Sequence, residues 1–204
     1  MVKLANIGPN KRGIETRAKL LAAGAAEFHA HGFNGVGIDV ITKAAGVPKG
    51  SFYNLFESKE AFAVEAIEHY FGIAEGKMLK FFDDNRTFAP LDRLRGYFRA
   101  LIDHYVKLHF RRGCMLGNLT LEAADQSDFI REMLAANFRQ WSATLAQAIK
   151  EAQTNGDIKN PTPASVLADF TLNSWEGALV RMKVEKSVAP LEEMTDVIFK
   201  SVLV

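Results

Sequence analysis

The chain of 204 residues has one cysteine, Cys114, so it cannot form a disulfide within itself. This count excludes the small secreted domains that disulfide bridges hold together. No stretch approaches the roughly 18 apolar residues that a membrane-spanning helix needs. Residues 1–10 also lack the apolar run of a signal peptide. We therefore expect a cytoplasmic protein with no membrane partner.

Metal-binding and catalytic patterns are also missing. The five histidines are scattered and have no spacing typical of a metal site. Cys114 with His104 or His109 could supply a nucleophile and a base, but no third orienting group or oxyanion motif accompanies them. We expect no metal, no cofactor and no enzymatic activity, and a thiol enzyme is left as an alternative.

What the sequence does contain is the composition of a soluble globular protein, with 48% hydrophobic and 24% charged residues. The net charge of +1 divides unevenly, because residues 1–60 carry +3 and residues 61–204 carry −2. A basic front part suits a protein whose contact with nucleic acid is confined to one end. Apolar residues recur with helical spacing and no strand-like alternation occurs, which predicts an all-α fold of about nine helices.

Two short helices joined by a tight turn are predicted near the N-terminus. The first covers Ile38 to Ala45 and is ended by Gly46, and the second starts near Pro48, a residue tolerated in a first helical turn. This pattern is typical of a helix-turn-helix. We assign residues 1–60 to a helix-turn-helix DNA-binding domain and residues 61–204 to a second helical domain.

A long fourth helix, which Ser58 is expected to cap, leads into the second domain. A fifth helix is expected from Pro90 to about His109, and a brief sixth around Leu119–Ala124. Gly113 and Gly117 are expected to mark an irregular stretch between these two helices.

The second short helix separates apolar from polar residues. Phe52 and Phe56 are expected to anchor it from beneath. The residues left on its outer side are Lys49, Gly50, Ser51, Tyr53 and Asn54. They offer a cation, hydroxyls and an amide, which suit phosphate oxygens and base edges, and the glycine leaves room for close backbone approach.

The run GVPKGSFYNLFESKEAF, preceded by GF and ITKAAG, resembles the DNA-binding domain of the TetR family of repressors. That resemblance implies that Lys49 and Asn54 face bases, while Ser51, Tyr53 and Lys59 hold phosphates. It further implies that residues 61–204 are a helical regulatory domain for ligand sensing and dimerisation, and that the protein is a homodimer on double-stranded operator DNA, released by a small-molecule inducer. An activator or a redox sensor of the same fold is the alternative.

Two positions depart from the family pattern. Gly37 stands where many members have a threonine or serine cap, and Asp39 stands where several have a basic or hydroxyl residue. Both lie at the start of the first short helix. DNA contacts from that helix are therefore the part of the resemblance that these departures affect.

The segments RRGCMLGNLTLEAADQS and SWEGALVRMKVEKSVAPLE resemble a subgroup of repressors that respond to reactive electrophiles or acrylate. In that subgroup a cysteine at the position of Cys114 is an attractive sensor. Arg111, Arg112 and a following helix N-terminus would all stabilise its thiolate, so we expect a lowered pKa. The alternative is a small buried core residue.

Two further sets of residues complete the expectations for residues 61–204. Aromatic side chains are expected to line a ligand cavity, among them Tyr97, Tyr105, Phe110, Trp141 and Trp175. The last two helices combine apolar and small residues that would let each copy pack closely on its partner. This dimerisation set is Phe170, Ser174, Gly177, Ala178, Arg181 and Ile198.

Overall fold

The computed structural model describes residues 11–204, and within this range it contains nine α-helices and no strand. The helices are α1 (Lys11–His31), α2 (Ile38–Ala45), α3 (Lys49–Tyr53), α4 (Lys59–Asp84), α5 (Pro90–Lys107), α6 (Met115–Ala123), α7 (Asp128–Asn155), α8 (Ala164–Glu185) and α9 (Ala189–Val197). A π-helical turn, Ile198–Val202, follows α9. The predicted all-α fold is confirmed. The expectation for residues 1–10 lies outside the described residues.

Within residues 11–204, no helix combines the length and the apolar character needed to cross a membrane.

An aromatic cluster joins α1, α3 and α4. Phe28, Phe52 and Phe62 are almost fully buried, and Phe52 and Phe62 have ring centroids 5.0 Å apart. Burying aromatic rings of this size contributes strongly to core stability. The cluster therefore fixes the five-residue α3 from beneath, although a helix of this length would not form alone in water.

Left-handed glycines end the first two helices, and Gly46 does so where the sequence predicts. Gly32 has φ +77° after α1, and Gly46 has φ +66° after α2. Glycine adopts this conformation without the steric cost that a side chain brings. The turn at Gly46 sets the angle between α2 and α3.

The connection between α5 and α6 differs from the prediction. α5 ends at Lys107, and His109 and Phe110 both adopt positive φ angles, of 51° and 58°. α6 begins at Met115 rather than near Leu119. The chain turns at Gly113, with φ +75°, and enters the helix immediately after it. Gly117 is consequently a residue of α6 and not part of an irregular stretch.

Contacts from α6 reach the DNA-binding part of the chain. The Glu122 carboxylate accepts hydrogen bonds from the backbone N–H groups of Phe33, at 3.0 Å, and Asn34, at 2.6 Å. Just before α6, the carbonyl oxygen of Gly113 lies 2.7 Å from Nε2 of His29 in α1. Both ends of α6 are thus attached to α1 or to the turn that follows it.

Candidate functional site

α3 presents its polar side chains to solvent. Tyr53 is 55% exposed, Lys49, Gly50 and Asn54 are exposed, and Ser51 is half-buried. A Cβ added at Gly50 would meet no described atom within 4 Å. The internal packing therefore does not explain this glycine, whereas close approach of an external backbone would.

Lys49 makes an ion pair with Asp39, with Nζ and Oδ1 2.8 Å apart. The hydrogen bond to Asp39 raises the pKa of Lys49, so the side chain is a cation at neutral pH. Both side chains are exposed, and water keeps such pairs weak. Asp39, which stands where several family members have a basic or hydroxyl residue, thus places a carboxylate beside Lys49, the cation that is expected to read DNA.

Lys59 is directed back into the protein. Its Nζ donates to the carbonyl oxygen of Phe33 at 2.6 Å and lies 4.3 Å from the centroid of the Phe33 ring. Partial burial lowers the pKa of Lys59. In this arrangement the lysine ties the turn after α1 to the start of α4. Its predicted phosphate contact stays a prediction and requires the ammonium to leave Phe33.

A cavity of about 600 Å³ lies between α1, which contributes Ala25 and His29, and the helices of the C-terminal part. Its walls include Tyr97, Tyr105, Cys114, Trp141 and Trp175. This volume suits a small organic ligand, since such pockets usually measure about 300–1,000 Å³. Whether these residues contact a ligand stays a prediction.

Phe110 does not line this cavity, contrary to the expectation. It lies in the left-handed turn after α5, where it is half-buried against the hydrophobic core. α5 ends at Lys107, three residues before Phe110, so the helix does not carry this ring to the cavity wall.

The tyrosine hydroxyls of the cavity are neutral, and its charged lining residues, Glu75, Lys77 and Arg112, are at least partly exposed. Burial raises the pKa of Tyr70, Tyr97 and Tyr105, so their hydroxyls stay protonated at neutral pH. Trp175 is fully buried, and its Nε1–H has no hydrogen-bond partner in the part of the chain that is described. Sequence reasoning missed Tyr70, because only the fold brings α4 to the cavity.

The lowered pKa expected for Cys114 is wrong. The thiol is buried, and desolvation together with the neighbouring Glu176 carboxyl raises its pKa well above the usual range. The backbone N–H groups at the start of α6 act in the expected direction but are outweighed. Arg111 and Arg112 are exposed to solvent, which screens their charges from a buried sulfur.

Glu176 was not anticipated from the sequence. It lies on α8, and burial raises its pKa to about 7. Its side chain is the hydrogen-bond partner of the Cys114 thiol, and its Oε1 has no partner within residues 11–204. A Cβ at Gly117 would overlap the carboxylate, so the glycine in α6 allows this close approach. The SWEG run contains the residue, but only helix packing shows its surroundings.

An unpartnered surface runs along α8 and α9. Phe170, Ser174, Ala178, Arg181 and Ile198 line a shallow groove of about 300 Å³. Gly177 is exposed and is not among the residues that line the groove, but it lies on the same face of α8, three residues after Ser174 and four before Arg181, so its place in a dimer interface stays a prediction. Exposed side chains continue the apolar character, with Phe170 at 52% and Val197 at 57%.

Comparison with known proteins agrees with this architecture. Residues 20–66 match the family described as bacterial regulatory proteins, tetR family, and residues 90–198 match the tetracyclin repressor-like C-terminal domain. The HTH-type transcriptional repressor DhaR of Mycobacterium sp. (strain GP1) is 36% identical over 187 residues, covering 92% of each chain.

Two solved structures share the fold over nearly the whole chain. Regulatory protein TetR from Rhodobacter sphaeroides has a TM-score of 0.83 and 34% identity, covering 91% of this chain and 97% of that one. The reduced form of E. coli NemR has a TM-score of 0.82 and 28% identity, covering 91% and 96%. With a helix-turn-helix at one end and a cavity-bearing helical domain at the other, the chain belongs to the TetR family of DNA-binding transcriptional regulators.

Proposed function

We propose that the chain is a cytoplasmic, homodimeric repressor that binds double-stranded operator DNA and leaves it when a small-molecule inducer occupies the cavity. The observation that carries this proposal is the pairing of an exposed α3 with a cavity that α1 helps to line and whose wall is attached through α6 to the turn after α1. The similarity to DhaR, which is named as a repressor, favours repression over activation. We expect no catalytic turnover, because the relatives are named as transcriptional regulators and burial raises the pKa of the Cys114 thiol.

Dimerisation is proposed to use the groove on α8 and α9. One short recognition helix reads few base pairs, whereas two helices about 34–36 Å apart reach successive major grooves on one side of the duplex. The apolar and small side chains of this groove would be covered by the same groove of a second copy. Each copy would then present one α3 to one half-site.

Cys114 offers a second route of induction. Its thiol lines the cavity, so an electrophile that enters could form a bond to sulfur. The similarity to NemR, whose structure is that of a reduced form, favours a cysteine that responds to redox or electrophilic chemistry. Both routes would act at the start of α6 and reach the DNA-binding part through the contacts of Glu122 and His29.

The test of DNA binding uses fluorescence anisotropy with a labelled duplex from the region upstream of the protein's own gene. We expect Tyr53→Ala to weaken binding about fivefold or more for every sequence, and Lys49→Ala also to change sequence preference. Lys80→Ala is the matched control, because this exposed lysine of α4 pairs with Asp84 far from α3. Wild-type affinity in both α3 variants would exclude α3 as the recognition helix.

The test of induction compares the wild type with Cys114→Ser. N-ethylmaleimide, a small neutral electrophile, is added to the protein–DNA complex and release is followed by anisotropy. Release of the wild type alone supports the covalent route. Equal release of both proteins would leave the non-covalent route and make Cys114 ordinary packing.

A further inference from the structure

A thiol and a carboxyl meet at the cavity wall. Cys114 is the N-cap residue of α6, and Glu176 comes from α8, with the missing side chain of Gly117 making room for its carboxyl group. The two side chains are hydrogen-bond partners. One carboxyl oxygen, Oε1, is buried without a partner among residues 11–204, so it retains the capacity to accept a proton.

The titratable groups that face this pair are neutral. They are Tyr70 from α4 and Tyr97 and Tyr105 from α5, and burial keeps their hydroxyls protonated. Three basic side chains lie nearby: Arg112 lines the same cavity but is exposed, and His29 and Lys183 lie beside Gly113, where burial lowers the pKa of His29. The thiol is therefore a weak nucleophile at rest, and any attack by its sulfur requires a nearby proton acceptor.

A second group points to the chemistry of the ligand. Trp175 lines the cavity and is fully buried, yet its Nε1–H has no described partner. A buried N–H without an acceptor is costly and rare. An acceptor oxygen on a ligand would satisfy it. The charged lining residues Glu75, Lys77 and Arg112 are at least partly exposed, whereas the groups that face the thiol are neutral tyrosine hydroxyls. These hydroxyls add further donors, which suits an uncharged molecule with a carbonyl group.

We propose that Glu176 accepts the thiol proton when Cys114 adds to a small, uncharged α,β-unsaturated carbonyl compound whose oxygen is held by Trp175 Nε1–H. A bond forms between sulfur and the β-carbon, and the C=C π electrons move towards the carbonyl. The thiol proton passes to the carboxylate and then to the α-carbon, so no oxidant or further reactant is needed. This inference rests on the proposed function, in which Cys114 is a site of induction.

The test measures how fast N-ethylmaleimide modifies Cys114, by intact-protein mass spectrometry, from about pH 5.5 to 9. General base catalysis contributes about 10²–10⁴-fold. We expect Glu176→Gln to react about tenfold or more slowly at neutral pH and to lose the rise in rate near pH 7 that Glu176 ionisation gives the wild type. Glu75→Gln is the matched control, because Glu75 also lines the cavity but hydrogen-bonds Gln140 and Thr144.

An unchanged or faster reaction of Glu176→Gln, with wild-type pH dependence, would overturn the proposal. If this variant does not fold, as judged by circular dichroism, Gly117→Ala replaces it. The added Cβ moves the Glu176 carboxyl group away from its place beside Cys114 but leaves the glutamate in the protein. A slower reaction then supports the proposal, and a wild-type rate overturns it.

Operator release in the same samples separates this inference from the proposed function. Cys114-dependent release without any effect of Glu176→Gln would retain the function and reject the base. If the modification of Cys114 depends on Glu176 but never releases DNA, Glu176 is retained as the base and induction through Cys114 is rejected.

Discussion

Replacing Glu122 with glutamine tests the attachment of α6 to the DNA-binding part. The carboxylate accepts two backbone N–H groups, from Phe33 at 3.0 Å and Asn34 at 2.6 Å. Glutamine keeps one acceptor oxygen and turns an NH₂ group towards the other donor. A hydrogen bond to a charged group contributes about 1.5–3 kcal/mol, and the Asn34 bond is exposed, so we expect a loss of about 2 kcal/mol in the free energy of unfolding. For a chain of this size that corresponds to a fall in Tm of about 4–8 °C.

The functional consequence is expected in coupling rather than in chemistry. With Glu122→Gln, the rate at which N-ethylmaleimide modifies Cys114 should stay unchanged, while the concentration that releases half of the operator DNA rises about threefold or more, about 0.7 kcal/mol of coupling. Calorimetry and anisotropy measure the two effects, and Glu68→Gln, at an exposed position of α4, is the control. A Tm within about 1 °C of the wild type together with normal release would refute the role of Glu122.

Three other changes have defined outcomes. Asp39→Asn should free Lys49 and strengthen DNA binding about two- to fivefold in anisotropy at low salt, and no change would mean that Lys49 does not face DNA. Ala178→Arg should give monomers by light scattering, since a large cation would be forced into a close helix contact, whereas an unchanged dimer mass would move the interface elsewhere. Glu176→Gln should be more stable than the wild type above about pH 7, by up to about 3 kcal/mol in urea unfolding, because the folded pKa of about 7 exceeds the unfolded value of about 4.5. This advantage should disappear towards about pH 4.5, and a constant difference would contradict the raised pKa.

Local rules account for the parts of the fold that the sequence predicts. Gly32 and Gly46 end helices because left-handed backbone favours glycine at any such position. Gly117 obeys a different rule, since it lies inside α6 and accommodates Glu176 from α8. Gly117 and Glu176 lie far apart in the sequence. The residues next to Gly117 therefore could not predict that this glycine belongs to α6.

The same distinction applies to the cavity. Arg111 and Arg112 are neighbours of Cys114 in sequence, but exposure to solvent makes them poor electrostatic neighbours. Burial and Glu176 determine the state of the thiol instead. The outward residues of α3 were easier to predict, because buried Phe52 fixes which face of a short helix can reach solvent.

The ion pair between Asp39 and Lys49 also bears on how the protein searches a chromosome. In the proposed complex, any duplex that recruits Lys49 must first displace Asp39, so the carboxylate would lower the affinity for every sequence that Lys49 contacts by a similar factor. Random sites offer phosphate attraction alone, whereas an operator adds base contacts that would outweigh this fixed loss. Residence on random DNA would be shortened as a result. On this proposal, an acidic residue beside Lys49 speeds the exchange between sites without reducing the ratio of specific to non-specific binding.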